Sequence, residues 1–124
     1  MDDMRILIID DEEIILSVLN DFFSDMGVCV SSAVSGMKGL ELIGTEDYDA
    51  VIVDMRMPDI SGNELIEKAL EINDKPVYFI HTGAVDYELT DKLRSRGLTD
   101  DNIIFKPIVD LNGLFEHIRK ITGK

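Results

Sequence analysis

Short apolar runs without polar alternation are the feature of this sequence that most constrains its fold. The clearest are RILII at residues 5–9, DAVIV at 49–53 and PVYFI at 76–80, and shorter runs lie at 28–33 and 102–105. A strand with one face in water alternates apolar and polar residues, whereas a strand buried on both faces does not. The runs therefore predict five strands of a parallel sheet that is covered on both sides.

Apolar residues spaced three or four apart lie between these runs, as in amphipathic helices. The stripes are Ile14, Ile15, Val18, Leu19, Phe22 and Phe23; Met37, Leu40 and Ile43; Leu65, Ile66, Ala69 and Leu70; and Leu111, Leu114, Phe115, Ile118 and Ile121. Segment 86–96 has only Leu89 and Leu93 clearly apolar on one face, so we expect it to be the least anchored helix. Five strands alternating with five helices predict an α/β fold, a (βα)₅ three-layer sandwich with one parallel five-stranded sheet.

The composition fits one acidic globular domain. The chain has 124 residues, of which 45% are apolar, and we expect residues 1–124 to form a single domain. Its formal net charge is -13, which disfavours binding to nucleic acid or to anionic membranes, because both need a basic surface. Such a chain is compatible with divalent cations and with basic partner surfaces.

The cysteine content and the absence of targeting signals favour a reducing, cytoplasmic setting. Cys29 is the only cysteine, which excludes an internal disulfide and a cysteine-based zinc site, and we expect it to be a small buried apolar residue. No signal peptide is visible, and no apolar run approaches the roughly 20 residues of a membrane span. We therefore expect a cytoplasmic protein that does not contact a membrane.

Polar residues follow four of the five predicted strands. Asp10 and Asp11 follow the first strand, Asp54 the third, Thr82 comes just after the fourth, and Lys106 follows the fifth. Ligands of open α/β sheets bind beyond the carboxyl ends of the strands, so we expect these side chains to converge. Two carboxylates about 4 Å apart repel by roughly 4 kcal/mol at an effective dielectric constant of about 20. Three carboxylates therefore need a cation or a proton.

The residue types at this predicted edge suit a magnesium ion and a phosphoryl group. Mg²⁺ prefers a few oxygen ligands next to solvent, keeps several waters and accepts a phosphate oxygen. Lys106 adds a fixed positive charge and Thr82 a hydroxyl donor. A carboxylate nucleophile, a metal ion and donors for the equatorial oxygens together form a site for phosphoryl transfer.

These residues, in this order, resemble the receiver domain of two-component response regulators. The resemblance rests on the pair Asp10-Asp11, the segment DMRMPDISG at 54–62, Thr82, and Lys106-Pro107, and it covers the whole chain. It implies a flavodoxin-like sheet with strand order 2-1-3-4-5. It also implies two-component signal transduction, in which a regulator is switched by phosphorylation of an aspartate.

The resemblance further implies a role for each matching residue. Asp54 is the expected phosphoacceptor, which takes the phosphoryl group from a sensor histidine kinase or a phosphotransfer protein. Asp11, Asp54 and the backbone carbonyl of Arg56 are the expected Mg²⁺ ligands, and Asp10 is expected to act through a bound water. Lys106 and Thr82 are expected to bind the phosphoryl oxygens. Such a domain catalyses only its own phosphorylation and dephosphorylation and is not an enzyme acting on a separate substrate.

The same resemblance implies how the signal leaves the domain. The expected output face consists of the fourth helix, the fifth strand and the fifth helix, and its expected partner is a downstream effector or output domain. A homodimer formed on phosphorylation is a further option that the sequence leaves open. Direct binding of nucleic acid by this domain is not expected.

Three positions depart from the family pattern. Ile103 stands three residues before Lys106, where the family usually has an aromatic side chain, so an aromatic switch at that position is in question. The loop at 97–102 is slightly longer than usual, which can reshape the output face. Ile108 replaces a frequent phenylalanine. We expect Phe105 to belong to the core.

Other residues near the predicted site carry weaker expectations. The Arg56 guanidinium is a candidate to reach the phosphoryl group or to screen it from attacking water. Gly62 is expected to adopt a backbone conformation that other residues resist, and Pro107 to hold the Lys106 peptide, with a cis bond as one option. His81 and His117 lack metal-ligand spacing, so we expect structural roles, with His117 on an exposed helix side.

Two other functions are alternatives to a receiver domain. A small phosphatase of the haloacid dehalogenase type also uses an aspartate nucleophile with Mg²⁺, but it needs an acid two residues later, where this chain has Arg56. A flavodoxin-like electron carrier needs a phosphate-binding loop after the first strand, where this chain has four consecutive acids at 10–13.

Overall fold

The computed structural model describes residues 4–124 as one parallel five-stranded sheet between two layers of helices. The strands are β1 (Arg5–Ile9), β2 (Cys29–Ala33), β3 (Ala50–Asp54), β4 (Val77–Thr82) and β5 (Ile103–Phe105). The helices are α1 (Glu13–Asp25), α2 (Gly36–Thr45), α3 (Gly62–Ile72), α4 (Asp91–Ser95) and α5 (Leu111–Thr122). The sheet order is β2-β1-β3-β4-β5, so the predicted fold and strand order are confirmed.

Each face of the sheet has its own apolar core. Successive side chains of a strand point to opposite faces, so Leu7 and Ile9 join the core under α2, α3 and α4. Ile6 and Ile8 join the core under α1 and α5. All five residues of the central strand β3 are buried, which explains why its sequence does not alternate.

The register of the strands brings their carboxyl ends to one edge. Ile9 pairs with Val53, and Asp54 pairs with His81. Thr82 in turn pairs with Phe105, the residue before Lys106. Residues that lie far apart in the chain therefore meet where the strands end.

Helix α1 has a narrower buried stripe than the sequence indicated. Leu16, Leu19 and Phe23 are buried, whereas Ile14 is 80% exposed and Val18 is 50% exposed. The buried positions are three or four residues apart and form one line along the helix. The six apolar residues that the sequence analysis placed on one face of this helix span a wider arc than the part of the helix that contacts the sheet. Met37 of α2, also predicted as apolar stripe, is exposed as well.

Two apolar residues predicted to be buried lie in the edge strands instead. Cys29 begins β2 and is exposed. Phe105 ends β5 and is 45% exposed. Both predictions were wrong, because a strand at the edge of a sheet has a neighbour on one side only.

The fourth helix is shorter than predicted. Only Asp91–Ser95 is helical, and the segment at 86–90 leads into it without helical structure. Thr90 caps the helix by accepting the backbone N–H of Leu93, which is the one buried residue of α4. Leu89 is buried just before the helix.

The longer loop before β5 has its own order. It contains a 3-10 turn at Asp100–Asn102, closed by reciprocal hydrogen bonds between Thr99 and Asn102. Asn102 is buried and donates to the carbonyl of Tyr78. His117 of α5 lies against the same turn at 2.7 Å from the carbonyl oxygen of Asp101, and its ring meets the edge of Phe79. His117 is therefore half-buried, and its predicted exposed position was wrong.

Two glycines of α2 provide a matched test of how closely this helix packs on β1. A Cβ at Gly39 would lie 2.8 Å from Cγ1 of Ile9, whereas a Cβ at Gly44 would make an ordinary contact 3.7 Å from Ile72. We expect Gly39→Ala to lower the free energy of unfolding by about 1–3 kcal/mol through overpacking. Gly44→Ala is expected to raise it by up to about 1 kcal/mol through helix propensity. Urea denaturation of both variants checks this, and equal effects would contradict the close packing of α2 on β1.

Candidate functional site

The site lies at the carboxyl edge of the sheet, where the strands bring the predicted residues together. Asp10 follows β1, Asp54 and Thr82 are the last residues of β3 and β4, and Lys106 follows β5. Asp10, Asp54 and Thr82 are all buried. The sequence had placed Asp54 and Thr82 just beyond their strands, and the structure extends each strand to include them.

Lys106 is the base that faces the carboxylates. Its Nζ donates to Oδ1 of Asp54 at 3.1 Å and lies 3.7 Å from Oδ2 of Asp10. The backbone N–H of Lys106 donates to the carbonyl of Thr82 at 2.7 Å, which fixes the start of the side chain. The peptide bond between Lys106 and Pro107 is cis, the option that the sequence had left open.

Three carboxylates approach one another closely enough to share a cation. Asp10, Asp11 and Asp54 each offer an oxygen within 4.8 Å of the other two. Asp11 is exposed to solvent, whereas the other two are buried. This cluster was predicted from the strand ends, and the structure brings all three residues together.

Burial and mutual repulsion disfavour the ionised form of two of these acids. The pKa of Asp10 is raised from 3.8 to about 6, mainly by burial. The hydrogen bond from Glu12 and the charge of Lys106 oppose the shift, whereas the charge of Asp54 contributes to it. Burial also raises the pKa of Asp54, although its hydrogen bond from Lys106 acts in the opposite direction. Burial alone would lower the pKa of Lys106, but the bond to Asp54 and the surrounding carboxylates outweigh it and raise the pKa.

One carboxylate oxygen at the centre of the cluster has no hydrogen bond. Oδ1 of Asp10 accepts the backbone N–H of Glu12 at 2.8 Å. Oδ2 of Asp10 is buried and finds no hydrogen-bond partner among residues 4–124. A buried polar atom without a partner is costly, and a divalent cation on oxygen ligands would satisfy it. The donor set therefore fits a metal ion.

A polar cavity of about 320 Å³ opens over Asp54. Its lining residues are Glu12, Asp54, Met55, Arg56, Thr82, Gly83, Ala84 and Lys106. Thr82 Oγ1 accepts the backbone N–H of Ala84 at 3.1 Å, so its own proton is available to a ligand. Arg56 is exposed at the rim, where the sequence had placed it. Glu12 was missed as a site residue, although its place directly after Asp10-Asp11 could have indicated it.

The glycine at the start of α3 is required for a reason other than the predicted one. Gly62 does not have the positive φ of a left-handed conformation, so the expectation of a backbone conformation that other residues resist was wrong. A Cβ at this position would lie 2.8 Å from the carbonyl oxygen of Asp54 and 2.9 Å from Cα of Met55. Gly62 therefore allows α3 to begin directly against the end of β3.

His81 lies next to the site but on the other face of the sheet. It lines an apolar cavity of about 290 Å³ together with Ile14, Val18 and Lys106. Its pKa is lowered from 6.5 to about 4, mainly by burial and also by the positive charge of Lys106, so the ring is neutral at pH 7. Its Nε2 has no hydrogen-bond partner within the described part of the chain.

The comparison with family models matches residues 6–119 to the response regulator receiver domain. The chain belongs to this receiver domain family. A solved receiver domain from Methanospirillum hungatei JF-1 has 30% sequence identity and a TM-score of 0.87, covering 98% of this chain and 95% of that one.

Curated relatives of this receiver domain are response regulators. The Regulator of RpoS from Escherichia coli K12 is 32% identical over 92% of the chain and 33% of its own length. The transcriptional regulatory protein DltR from Streptococcus agalactiae is 32% identical over 96% of the chain and 52% of its own length. The chain thus spans about a third to a half of the length of these two relatives.

These comparisons decide between the predicted functions. The chain is a receiver domain of two-component response regulators, and the phosphatase alternative finds no support. Receiver domains of this family bind a divalent metal at the acidic pocket that Asp10, Asp11 and Asp54 form here. Among the helices of residues 4–124, none has the length and apolar character of a membrane span.

The buried Asp10 predicts a pH-dependent difference between wild type and Asp10→Asn without metal. The pKa of Asp10 is raised from 3.8 to about 6 in the folded protein, so folding favours the protonated form. Ionisation therefore destabilises the wild type as pH rises through this range, while the asparagine still accepts the Glu12 N–H. We expect equal stabilities near pH 4 and a more stable variant above pH 6, by about 1–3 kcal/mol.

Urea denaturation in EDTA at several pH values measures this difference directly. Lower stability of Asp10→Asn at pH 7 would contradict the burial cost assigned to the carboxylate.

Proposed function

We propose that residues 1–124 act as a single receiver domain in which Asp54 accepts a phosphoryl group in a Mg²⁺-dependent reaction. The observation that supports this most directly is the Asp54 carboxylate itself. It lies at the base of the polar cavity, held by Lys106 at 3.1 Å and adjacent to two further carboxylates. A nucleophile, a cationic partner and a metal-binding cluster are thus adjacent.

The metal site in this proposal consists of oxygen ligands only. Asp11 and Asp54 with the backbone carbonyl of Arg56 are the proposed direct ligands, and Asp10 acts through a water. When bound, Mg²⁺ offsets the repulsion between the carboxylates and the incoming phosphoryl group. Mg²⁺ is preferred because few carboxylates beside solvent leave room for the several waters that this ion keeps.

The chain's own residues supply the remaining chemistry. A carboxylate oxygen of Asp54 attacks the phosphorus of a phosphohistidine, a new O–P bond forms, and the P–N bond breaks. The electron pair of that bond returns to the imidazole of the donor. Lys106 offers its ammonium and Thr82 its hydroxyl to the equatorial oxygens, whose charge must be neutralised in the transition state.

A protein donor has a suitable surface beside this cavity. The apolar cavity on the α1 side shares Lys106 with the polar one, and the exposed Ile14 and Val18 border it. Exposed apolar residues next to a reactive site are typical of protein contacts. A sensor histidine kinase or a phosphotransfer protein is the proposed donor, in the cytoplasm.

The proposed output face consists of α4, β5 and α5. Phosphorylation would draw Thr82 toward the phosphoryl group and move the segment that follows it into α4. This helix has five residues and one buried side chain, so a shift of its position disturbs little packing. A downstream effector or output domain would read the shift. The same face could alternatively bind a second copy of the chain, in a homodimer formed on phosphorylation.

Phosphorylation by acetyl phosphate tests the proposed acceptor. We expect a gain of one phosphate by intact-mass spectrometry with Mg²⁺, and none in EDTA or in Asp54→Asn. The cause is that Asp54 supplies the only proposed nucleophile and also one of the metal ligands. Asp21→Asn serves as the control, because it changes an exposed aspartate of α1 outside the cavity lining. Labelling that persists in Asp54→Asn with EDTA would overturn the site assignment.

The lifetime of the phosphorylated protein tests the role of Arg56. Its side chain stands at the rim of the cavity over Asp54, where it can screen the phosphoryl group from water. We expect Arg56→Ala to lose its phosphate several-fold faster in a decay followed by mass spectrometry. Arg94→Ala is the matched control, since Arg94 pairs with Asp100 away from the cavity. An unchanged decay rate in Arg56→Ala would discard the screening role.

A further inference from the structure

The loop at 55–61 carries the Arg56 carbonyl, the proposed metal ligand, and its two ends are joined by a hydrogen bond. The backbone N–H of Gly62, just after the loop, donates to the carbonyl of Met55 at its start, at 2.8 Å. This hydrogen bond closes the loop over the end of β3. Arg56 follows Met55 directly, so the position of its carbonyl depends on how rigidly the remainder of the loop is held.

The far side of this loop is tied to a different helix through one side chain. Oδ1 of Asp59 accepts the backbone N–H of Gly36 at 3.2 Å, and Oδ2 accepts that of Met37 at 2.9 Å. Both N–H groups belong to the first turn of α2, where a helix has no backbone acceptors of its own. The hydrogen bond from Met37, and to a lesser extent that from Gly36, lowers the pKa of Asp59. The bridge is therefore made by the ionised carboxylate.

Beside this bridge, the loop and α2 also approach each other closely. A Cβ on Gly36 would overlap Cγ2 of Ile60, the residue after Asp59. Ile60 is buried in the core under α2 and α3. Loop and helix therefore contact through a buried apolar side chain as well as through the two hydrogen bonds of Asp59.

We propose that Asp59 is a positioning residue that holds the loop at 55–61 on α2 and thereby sets the affinity of the acidic site for its metal. This inference rests on the proposed function, because it assumes that the Arg56 carbonyl is a metal ligand. Asp59 does not line the cavity and does not belong to the carboxylate cluster. Its effect therefore passes through the loop backbone.

A second cap of the same helix turn provides the matched control. Ser35 accepts the backbone N–H of Lys38 at 3.2 Å, and within residues 4–124 its side chain makes no hydrogen bond to the loop. Ser35→Ala removes a cap from α2 but leaves the bridge intact, whereas Asp59→Ala removes the bridge. Both variants weaken the same helix end, so a difference in metal affinity between them reports the loop.

Binding of Mn²⁺ alone, followed by electron paramagnetic resonance, and of Mg²⁺ alone, followed by calorimetry, measures this affinity. We expect Asp59→Ala to bind either ion about tenfold more weakly, as when a group that orients a metal ligand is removed. Ser35→Ala should bind as the wild type does. Asp59→Asn keeps one acceptor oxygen and should recover part of the loss, and it replaces the alanine variant if that one does not fold.

Phosphorylation by acetyl phosphate supplies a second readout. For Asp59→Ala we expect a higher Mg²⁺ concentration at half-maximal rate, with the wild-type rate restored at saturating Mg²⁺. Wild-type affinity in Asp59→Ala, or an equal loss in Ser35→Ala, would overturn the positioning role while leaving the proposed function intact. A wild-type protein that binds neither ion and takes no phosphate would overturn both.

Discussion

The electrostatic conflict between the carboxylates at the sheet edge is the constraint on which the rest of the site depends. Asp10 and Asp54 are buried within reach of Asp11, and among residues 4–124 only Lys106 forms an ion pair with them. Such a cluster lowers the stability of the fold, because buried like charges repel and lose hydration. Its retention is understandable as the binding site of a cation, which removes the conflict when it binds.

The fold makes this arrangement possible through its parallel topology. In a parallel sheet every strand ends at the same edge, so residues at 10, 54, 82 and 106 meet without any local contact in the sequence. The central position of β3 places Asp54 between the residues that follow β1 and β4. The loop after β3 then closes over the edge because Gly62 leaves room for α3 to start beside it.

The sequence predicted the strands and the convergence of the polar residues at one sheet edge, because both depend on pattern. Buried strands do not alternate, and the polar residues that follow them share an edge by topology alone. Predictions of individual burial were less successful. Cys29 and Phe105 are exposed because their strands lie at the sheet edges, and the sequence does not show which strands those are before the order is known. Ile14 is exposed because the rotation of α1 is set by its packing.

The sequence patterns did not indicate Asp59 and Glu12, which contact backbone groups or line the polar cavity over Asp54. Asp59 contacts α2 from another segment, 23 residues away from Gly36 in sequence, and no periodicity links the two. Glu12 lines the cavity from the turn between β1 and α1, where its backbone N–H donates to Asp10. Contacts of this kind arise only when the loops are assembled, so local sequence patterns do not indicate them.

The charge balance of the site also gives a physical reason for its response to phosphorylation. Three carboxylates and one ammonium leave a net negative site, which a divalent cation brings to neutrality. On the proposed function, a phosphoryl group then adds negative charge, which Lys106 and a further hydrogen-bond donor would help the metal ion to neutralise. Thr82 is that donor, since its oxygen already accepts from Ala84 and its proton remains free. The need to bring this hydroxyl to the phosphoryl group is what would displace the segment leading into α4.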